Sequence, residues 1–139
     1  MNLEIIVSSR KAVPIYEQIE TQIEDAILNG VLKEGEVIPG IRTLAKMLRV
    51  SVITVQKAYE NLNRKGLIFS AAGRGTMVAA VDQKAMMETR LAQLDDLLQQ
   101  SADLAKAMHL SFSQTSARLQ QFMEADPPKE GSASKGELE

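Results

Sequence analysis

The sequence predicts an α+β fold: an N-terminal unit of three helices closed by a β-hairpin, then a small two-helix, all-α module. Three observations carry that prediction. Apolar residues recur at spacings of three and four through three segments between positions 15 and 65, the signature of amphipathic helices. Between positions 67 and 81 the pattern changes to short β-type runs either side of Ala71-Ala72-Gly73-Arg74-Gly75, as in two strands joined by a Gly-rich turn. From Met87 onward a seven-residue repeat takes over, the spacing of helices that pair with other helices.

The first helix opens at Pro14, whose missing N–H would be unpaired in a first turn anyway. Ile15, Ile19, Ile23, Ala26 and Ile27 form its apolar stripe, and Glu17, Gln18, Glu20, Glu24 and Asp25 are expected on the opposite, solvated face. Asn29-Gly30 ends it, because Gly readily takes the left-handed conformation that closes helices. Pro39-Gly40 marks the next start, and Ile41, Leu44, Ala45 and Leu48 make a short second stripe. Ser51 is a candidate N-cap for a third helix running to about Lys65, with Val55, Ala58, Tyr59 and Leu62 facing inward and Gly66 as its stop. Three helices, the last two closely coupled, followed by a hairpin, is the order of a winged helix-turn-helix with the hairpin as its wing.

Beyond Asp82, the residues Met87, Leu91, Leu94, Leu98, Ser101, Ala105 and Met108 alternate steps of four and three, a heptad seam. Leu97 and Leu104 widen it. A lone helix with such a face is not stable in water and needs a partner. The expected partner is the same helix of a second copy, with Met87, Leu91, Leu94, Leu98, Ala105 and Met108 as dimerisation residues. The phase breaks near Leu110-Ser111, where Ser111 and Gln114 have the spacing of a capping box for a final helix carrying Phe112, Thr115, Leu119, Phe122 and Met123. Asp126–Glu139 is rich in Pro, Gly, Ser and charge and holds only Ala133 and Leu138 as apolar residues, so it is expected to be a flexible tail. The predicted organisation is therefore 1–81 winged helix-turn-helix, 82–125 helical dimerisation module and 126–139 tail.

Composition narrows the function. The 139 residues include no Cys and a single His, His109, which removes thiol chemistry, Cys-based zinc sites and His clusters. His109 reads as a helix C-terminal residue. The acids Asp95, Asp96 and Asp103 read as a solvated face. There is no Walker-type loop, dinucleotide fingerprint or nucleophile motif, so no enzyme activity, cofactor or metal is expected. Nothing resembles a membrane span or signal peptide, which makes the cytoplasm the expected compartment. The net charge of −2 hides an asymmetry: residues 33–80 carry +5 and residues 81–139 carry −4. A basic module fused to an acidic one points to a polyanion partner for the first alone.

In a helix-turn-helix, residues near the start of the second helix reach base edges in the major groove. Here these are Ser51, Val52, Ile53, Thr54, Gln56 and Lys57. The hydroxyls suit phosphate or bases, Gln56 suits adenine, and the apolar side chains suit the thymine methyl; Ser51 also reads simply as a cap. Arg42 lies at the start of the second helix, where the helix dipole disfavours a cation and a phosphate would favour one. Arg74, between two glycines, is placed to enter a minor groove or clamp a phosphate. The predicted partner is a double-stranded DNA operator. The rival reading is an adaptor that docks its winged helix on a protein and its C-terminal helices on a partner's helix.

The residues from Pro14-Ile15-Tyr16 through Gly35-Glu36-Val37-Ile38-Pro39-Gly40-Ile41-Arg42, Val50-Ser51-Val52-Ile53-Thr54-Val55-Gln56-Lys57-Ala58-Tyr59 and Gly73-Arg74-Gly75-Thr76 resemble the GntR family of bacterial transcriptional regulators over about residues 13–80. The resemblance implies a winged-helix DNA-binding domain working in a homodimer. It would place DNA contacts on Arg42, Ser51, Val52, Ile53, Thr54 and Gln56, and on Ala72, Gly73 and Arg74 of the wing. The chain departs from the family where Val52 and Gln56 stand in place of common arginines, so base preferences read from Arg–guanine pairing do not transfer. The short helical remainder looks like the YtrA subfamily, often repressors associated with ABC transporter genes, whose C-terminal module chiefly dimerises. An unknown small-molecule effector, were there one, would sit at the dimer interface or between domains.

Overall fold

The computed structural model describes residues 3–125, so the expected tail, 126–139, lies outside the described residues. The chain divides after Asp82 into two compact units. The first contains α1 (Ile15–Leu28), β1 (Val37–Ile38), α2 (Ile41–Leu48), α3 (Val52–Arg64), β2 (Ile68–Ala71) and β3 (Gly75–Val78). The second contains α4 (Gln83–Ala107) and α5 (Phe112–Glu124).

In the first unit α1 and α2 both pack against α3. Ile19, Ile23, Ile27, Leu44, Val55 and Leu62 meet in the middle, all essentially inaccessible to water. Each such side chain contributes roughly 1.5–3 kcal/mol when removed from water. Tyr59 closes the core toward α2, and its phenol donates a 2.6 Å hydrogen bond to the carbonyl of Pro39. Burial pushes that hydroxyl above its ordinary value, so it stays a neutral donor at any physiological pH.

The hairpin forms as expected, though its strands are shorter than the 67–81 run. A further strand joins them: Val37 pairs with Met77 and Ile38 with Thr76, giving an antiparallel sheet of order β1-β3-β2. The sequence reading missed β1. Two residues cannot show an alternation, and their partner lies about 40 positions away.

A second correction concerns α1. Gln18 and Glu20, expected on the solvated face, are both buried. An extended N-terminal segment lies along the helix and covers Gln18. Ser8 N–H donates to Gln18 Oε1 at 2.9 Å, and Gln18 Nε2 donates to the carbonyls of Ser8 and Val13, both at 2.8 Å. One turn on, Gln22 makes the same two-way pair with Ile6, at 3.0 and 2.7 Å. Residues 6 and 8 present backbone groups on the same edge of an extended chain, and side chains at i and i+4 share a helix face. The two amides thus act as a surrogate strand and bring Ile5 into the core.

Glu20 is covered from the other side by α3. Lys65 Nζ lies 2.7 Å from Glu20 and 2.9 Å from Glu24, and Asn61 donates to Glu20 at 2.9 Å. Burial alone would push the Glu20 carboxyl up. The bonds from Lys65 and Asn61, with the charges of Lys65 and Arg64, outweigh it and hold the group below the usual carboxylate range. Burial likewise works against the charge on Lys65, and the two carboxylates overcome it and raise its pKa.

In the second unit, α4 ends in a tight reversal. The N–H of Leu110 donates to the Ala105 carbonyl at 2.9 Å and that of His109 to Lys106 at 3.0 Å, with His109 at φ 60°. This is a Schellman closure with His in the left-handed position that Gly usually fills. The Ser111–Gln114 capping box then starts α5 with both of its reciprocal bonds, 3.1 and 2.8 Å.

Candidate nucleic-acid interface

The turn between α2 and α3 sets the angle of the second helix. It is closed by Val50 N–H donating to Ala45 O at 3.0 Å and Arg49 N–H to Lys46 O at 3.3 Å, with Arg49 at φ 58°. Ser51 follows in extended conformation as N-cap. Its Oγ accepts the Thr54 N–H at 3.1 Å and lies 2.7 Å from Thr54 Oγ1. Both hydroxyls therefore serve the start of α3, yet Ser51 stays exposed.

Around that cap the side chains divide. Val55 and Ala58 go to the core, Val52 and Thr54 are half-buried, and Gln56 and Lys57 are exposed. Ile53 is 76% exposed. A branched apolar side chain so far in water contributes nothing to this chain's own core, and its place is the exposed edge of a helix N-terminus. The Gln56 amide donates to Glu60 Oε2 at 3.1 Å, one turn on. The Lys57 ammonium stands 4.2 Å from the ring centroid of Tyr16 on α1, a cation–π distance.

Arg42 and Lys46 are exposed one turn apart on α2, and neither makes an ion pair among the described residues. In the wing, Arg74 N–H donates to Ala71 O at 2.9 Å, and Ala72, Gly73, Arg74 and Gly75 are all exposed. Gly73 and Gly75 adopt φ of 77° and 83°, and a Cβ on either would meet nothing within 4 Å. What demands glycine here is backbone handedness, not space. The unit thus presents a capped helix start, a cationic edge on α2 and a cationic loop tip. Lys65, by contrast, is committed to Glu20 and Glu24 of α1, so the +5 of residues 33–80 overstates the free charge. The sequence reading did not single out Arg49, an exposed cation in the turn itself; the signal was there, in the capping Ser51 two residues later.

In the second unit Met87, Leu91, Leu94, Leu98 and Met108 are exposed, whereas Ala105 is buried in its own chain. Leu97 and Leu104 are exposed as well, and α5 buries no residue at all. An apolar groove of about 810 Å³ between α4 and α5 is lined by Leu104, Ala105, Leu119 and Phe122, with Gln114 and Arg118 at its polar edge. Among the described residues no group of acidic or His side chains could hold a metal ion, and no helix is long and apolar enough to cross a membrane.

A helix-turn-helix with an exposed recognition-helix start and a basic hairpin tip defines the class: a DNA-binding transcriptional regulator of winged-helix type. The family described as bacterial regulatory proteins, gntR family, matches residues 15–78. The chain is 34% identical over 96 residues to the HTH-type transcriptional repressor YtrA of Bacillus subtilis (strain 168), covering 69% of this chain and 74% of that one. Among solved structures it is similar to YtrA from Sulfolobus acidocaldarius, a GntR-family transcription factor, at 36% identity and TM-score 0.53 over 66% of this chain and 97% of the other. It is also similar to a transcriptional antiterminator from Listeria monocytogenes EGD-e, at 28% identity and TM-score 0.64 over 89% and 92%. The chain belongs to the GntR family, whose members are transcriptional regulators and not enzymes.

Proposed function

We propose that this chain is a homodimeric, cytoplasmic repressor that binds an inverted-repeat operator. The observation that carries the reading is the pairing of an exposed helix start, Ser51 to Lys57, with a second unit whose apolar seam stays exposed among the described residues. A two-fold dimer built on α4, burying Met87, Leu91, Leu94, Leu98 and Met108, gives two recognition helices related by symmetry. It therefore reads half-sites about 10 base pairs apart, or a multiple of that. The α4–α5 groove is filled by the partner's helices, and Ala105 forms its floor. Arg42 and Arg74 take phosphates, which set affinity and register, while Val52, Ile53, Thr54, Gln56 and Lys57 face the bases with support from Ala72 and Gly73. The likeness to the YtrA repressor favours repression, and the subfamily resemblance favours ABC transporter genes as targets.

The test is fluorescence anisotropy with duplex from upstream of the chain's own gene against a scrambled duplex, at low and physiological salt. Preference for the native duplex that persists at physiological salt is expected. Arg74→Ala should weaken both duplexes about equally, as loss of a phosphate contact does. A folded dimer that binds neither duplex would sink the reading in favour of a protein-docking adaptor.

A further inference from the structure

The N-terminal strap has a feature that the winged helix does not account for. Between Ser8 and Val13 the chain makes a six-residue loop, and one side chain ties both of its ends. The buried Gln18 amide bonds both backbone groups of Ser8 and the carbonyl of Val13, at 2.8–2.9 Å. Ser8 Oγ also accepts the Arg10 N–H at 3.2 Å and shapes the turn. Gln18 is only 6% exposed, and its carbonyl oxygen and both of its N–H donors are used. A fully satisfied buried amide is specific in what it holds, because any other loop path leaves its polar atoms unpaired.

What the loop displays is charge. Arg10 and Lys11 are both exposed, and neither makes an ion pair among the described residues. The acids nearest in sequence are Glu4, six residues before Arg10, and Glu17, six residues after Lys11 on the first turn of α1. The loop runs directly into that turn, and the Tyr16 ring there lies under the Lys57 ammonium of α3. That contact brings the entry to α1 beside the exposed face of the recognition helix. Arg10 and Lys11 thus stand six and five residues before the ring on which Lys57 rests, on an element separate from α2 and the wing.

We propose that the Ser8–Val13 loop is a second anchor on the DNA backbone, with Arg10 and Lys11 each binding a phosphate and Gln18 as the positioning residue. This rests on the DNA-binding reading above. Phosphate contacts of this kind are blind to sequence and show as counterion release, a slope of about 0.9 in log K against log salt for each contact.

The experiment uses the full chain and a labelled duplex that the wild-type protein selects from random sequence, titrated across salt beside a scrambled duplex. Arg10→Ala with Lys11→Ala should lower affinity at least ten-fold at low salt on both duplexes and cut the slope by about 2. Arg10→Lys with Lys11→Arg should restore both. The same charge change at Lys84 and Lys106, exposed on α4, should leave the slope alone. Gln18→Met, checked for folding by thermal melting, should lose slope although both cations remain. An unchanged slope in the Arg10/Lys11 variant, on a duplex the wild type binds, overturns the anchor and leaves the DNA-binding reading intact. A wild type that selects no duplex overturns both.

Discussion

The two units of this chain begin from the same kind of sequence signal and use it differently. In α1 and α3 the apolar stripe finds its complement within the chain, and Ile19, Ile23, Val55 and Leu62 are sealed from water. In α4 and α5 an equally regular stripe leaves Leu94, Leu97, Leu104 and Phe122 in solvent. Periodicity states that a face is to be buried; the number of elements at hand decides whether the cover comes from the same chain. Three helices and a sheet can enclose a core, whereas two helices cannot enclose one and leave their faces for another molecule.

The sharpest way to break that contrast is to charge the open seam. Leu94→Glu with Leu98→Glu should turn the proposed dimer into monomers and leave the winged helix folded. Operator affinity should drop about 100-fold or more, since the second half-site contact ceases to be intramolecular. Light scattering after size exclusion reads the first effect and anisotropy the second. A double variant that remains dimeric would mean that α4 is not the seam.

The closed core answers to a different measurement. Leu62, fully buried, should cost about 2–5 kcal/mol on replacement by Ala, as large-to-small changes in a packed interior do. Denaturant unfolding should show this loss at every protein concentration. Leu97→Ala, truncating a side chain exposed in its own chain, should leave the unfolding of a dilute sample unchanged. Its effect should appear only where midpoints rise with protein concentration, which is the mark of stability drawn from a partner.

The same contrast explains what could be read in advance. The helix stripes, the Ser51 and Ser111 caps and the wing glycines are local patterns, and each sits where the spacing put it. What escaped was non-local. Strand β1 is specified by a partner about 40 residues away. Gln18 and Glu20 look like surface residues on a helical wheel; only the chain folding back at residues 6–13 and Lys65 arriving from α3 bury them. Of the candidate site, helix order and resemblance pointed to the start of α3 and the wing tip, where Ser51, Ile53, Gln56, Lys57 and Arg74 are exposed. The committed state of Lys65 and the Tyr16–Lys57 contact were not legible, because both join elements about 40 positions apart.

The Lys65–Glu20 link gives a smaller, pH-dependent effect. The Glu20 carboxyl is held below its ordinary value near 4.5. Its contribution to stability is therefore fully present above that value and is lost as pH falls through the lower, folded-state one. Glu20→Gln should cost about 1 kcal/mol or less at neutral pH, Lys65 being half exposed and well solvated. It should also flatten the acid limb of the stability profile below pH 4.5. Thermal melts across the acid range compare the two chains; parallel curves would mean the carboxylate is not what ties α1 to α3.

The smallest effect lies in the helix-turn-helix turn. Arg49 is held at φ 58°, a conformation costing an ordinary L-residue roughly 1–2 kcal/mol and glycine almost nothing. Gly would return part of that gain as extra freedom in the unfolded chain, so Arg49→Gly should stabilise the protein by about 0.5 kcal/mol. A turn that keeps an arginine where glycine is easier gives up stability for a side chain that points into solvent. The DNA-binding reading supplies a use for it, since Arg49 stands two residues before the cap of the recognition helix. The expected result is a variant with a slightly raised melting temperature and an operator affinity lowered several-fold. A gain in stability with affinity unchanged would remove Arg49 from the interface and leave Arg42 and Lys46 as the cations of that edge.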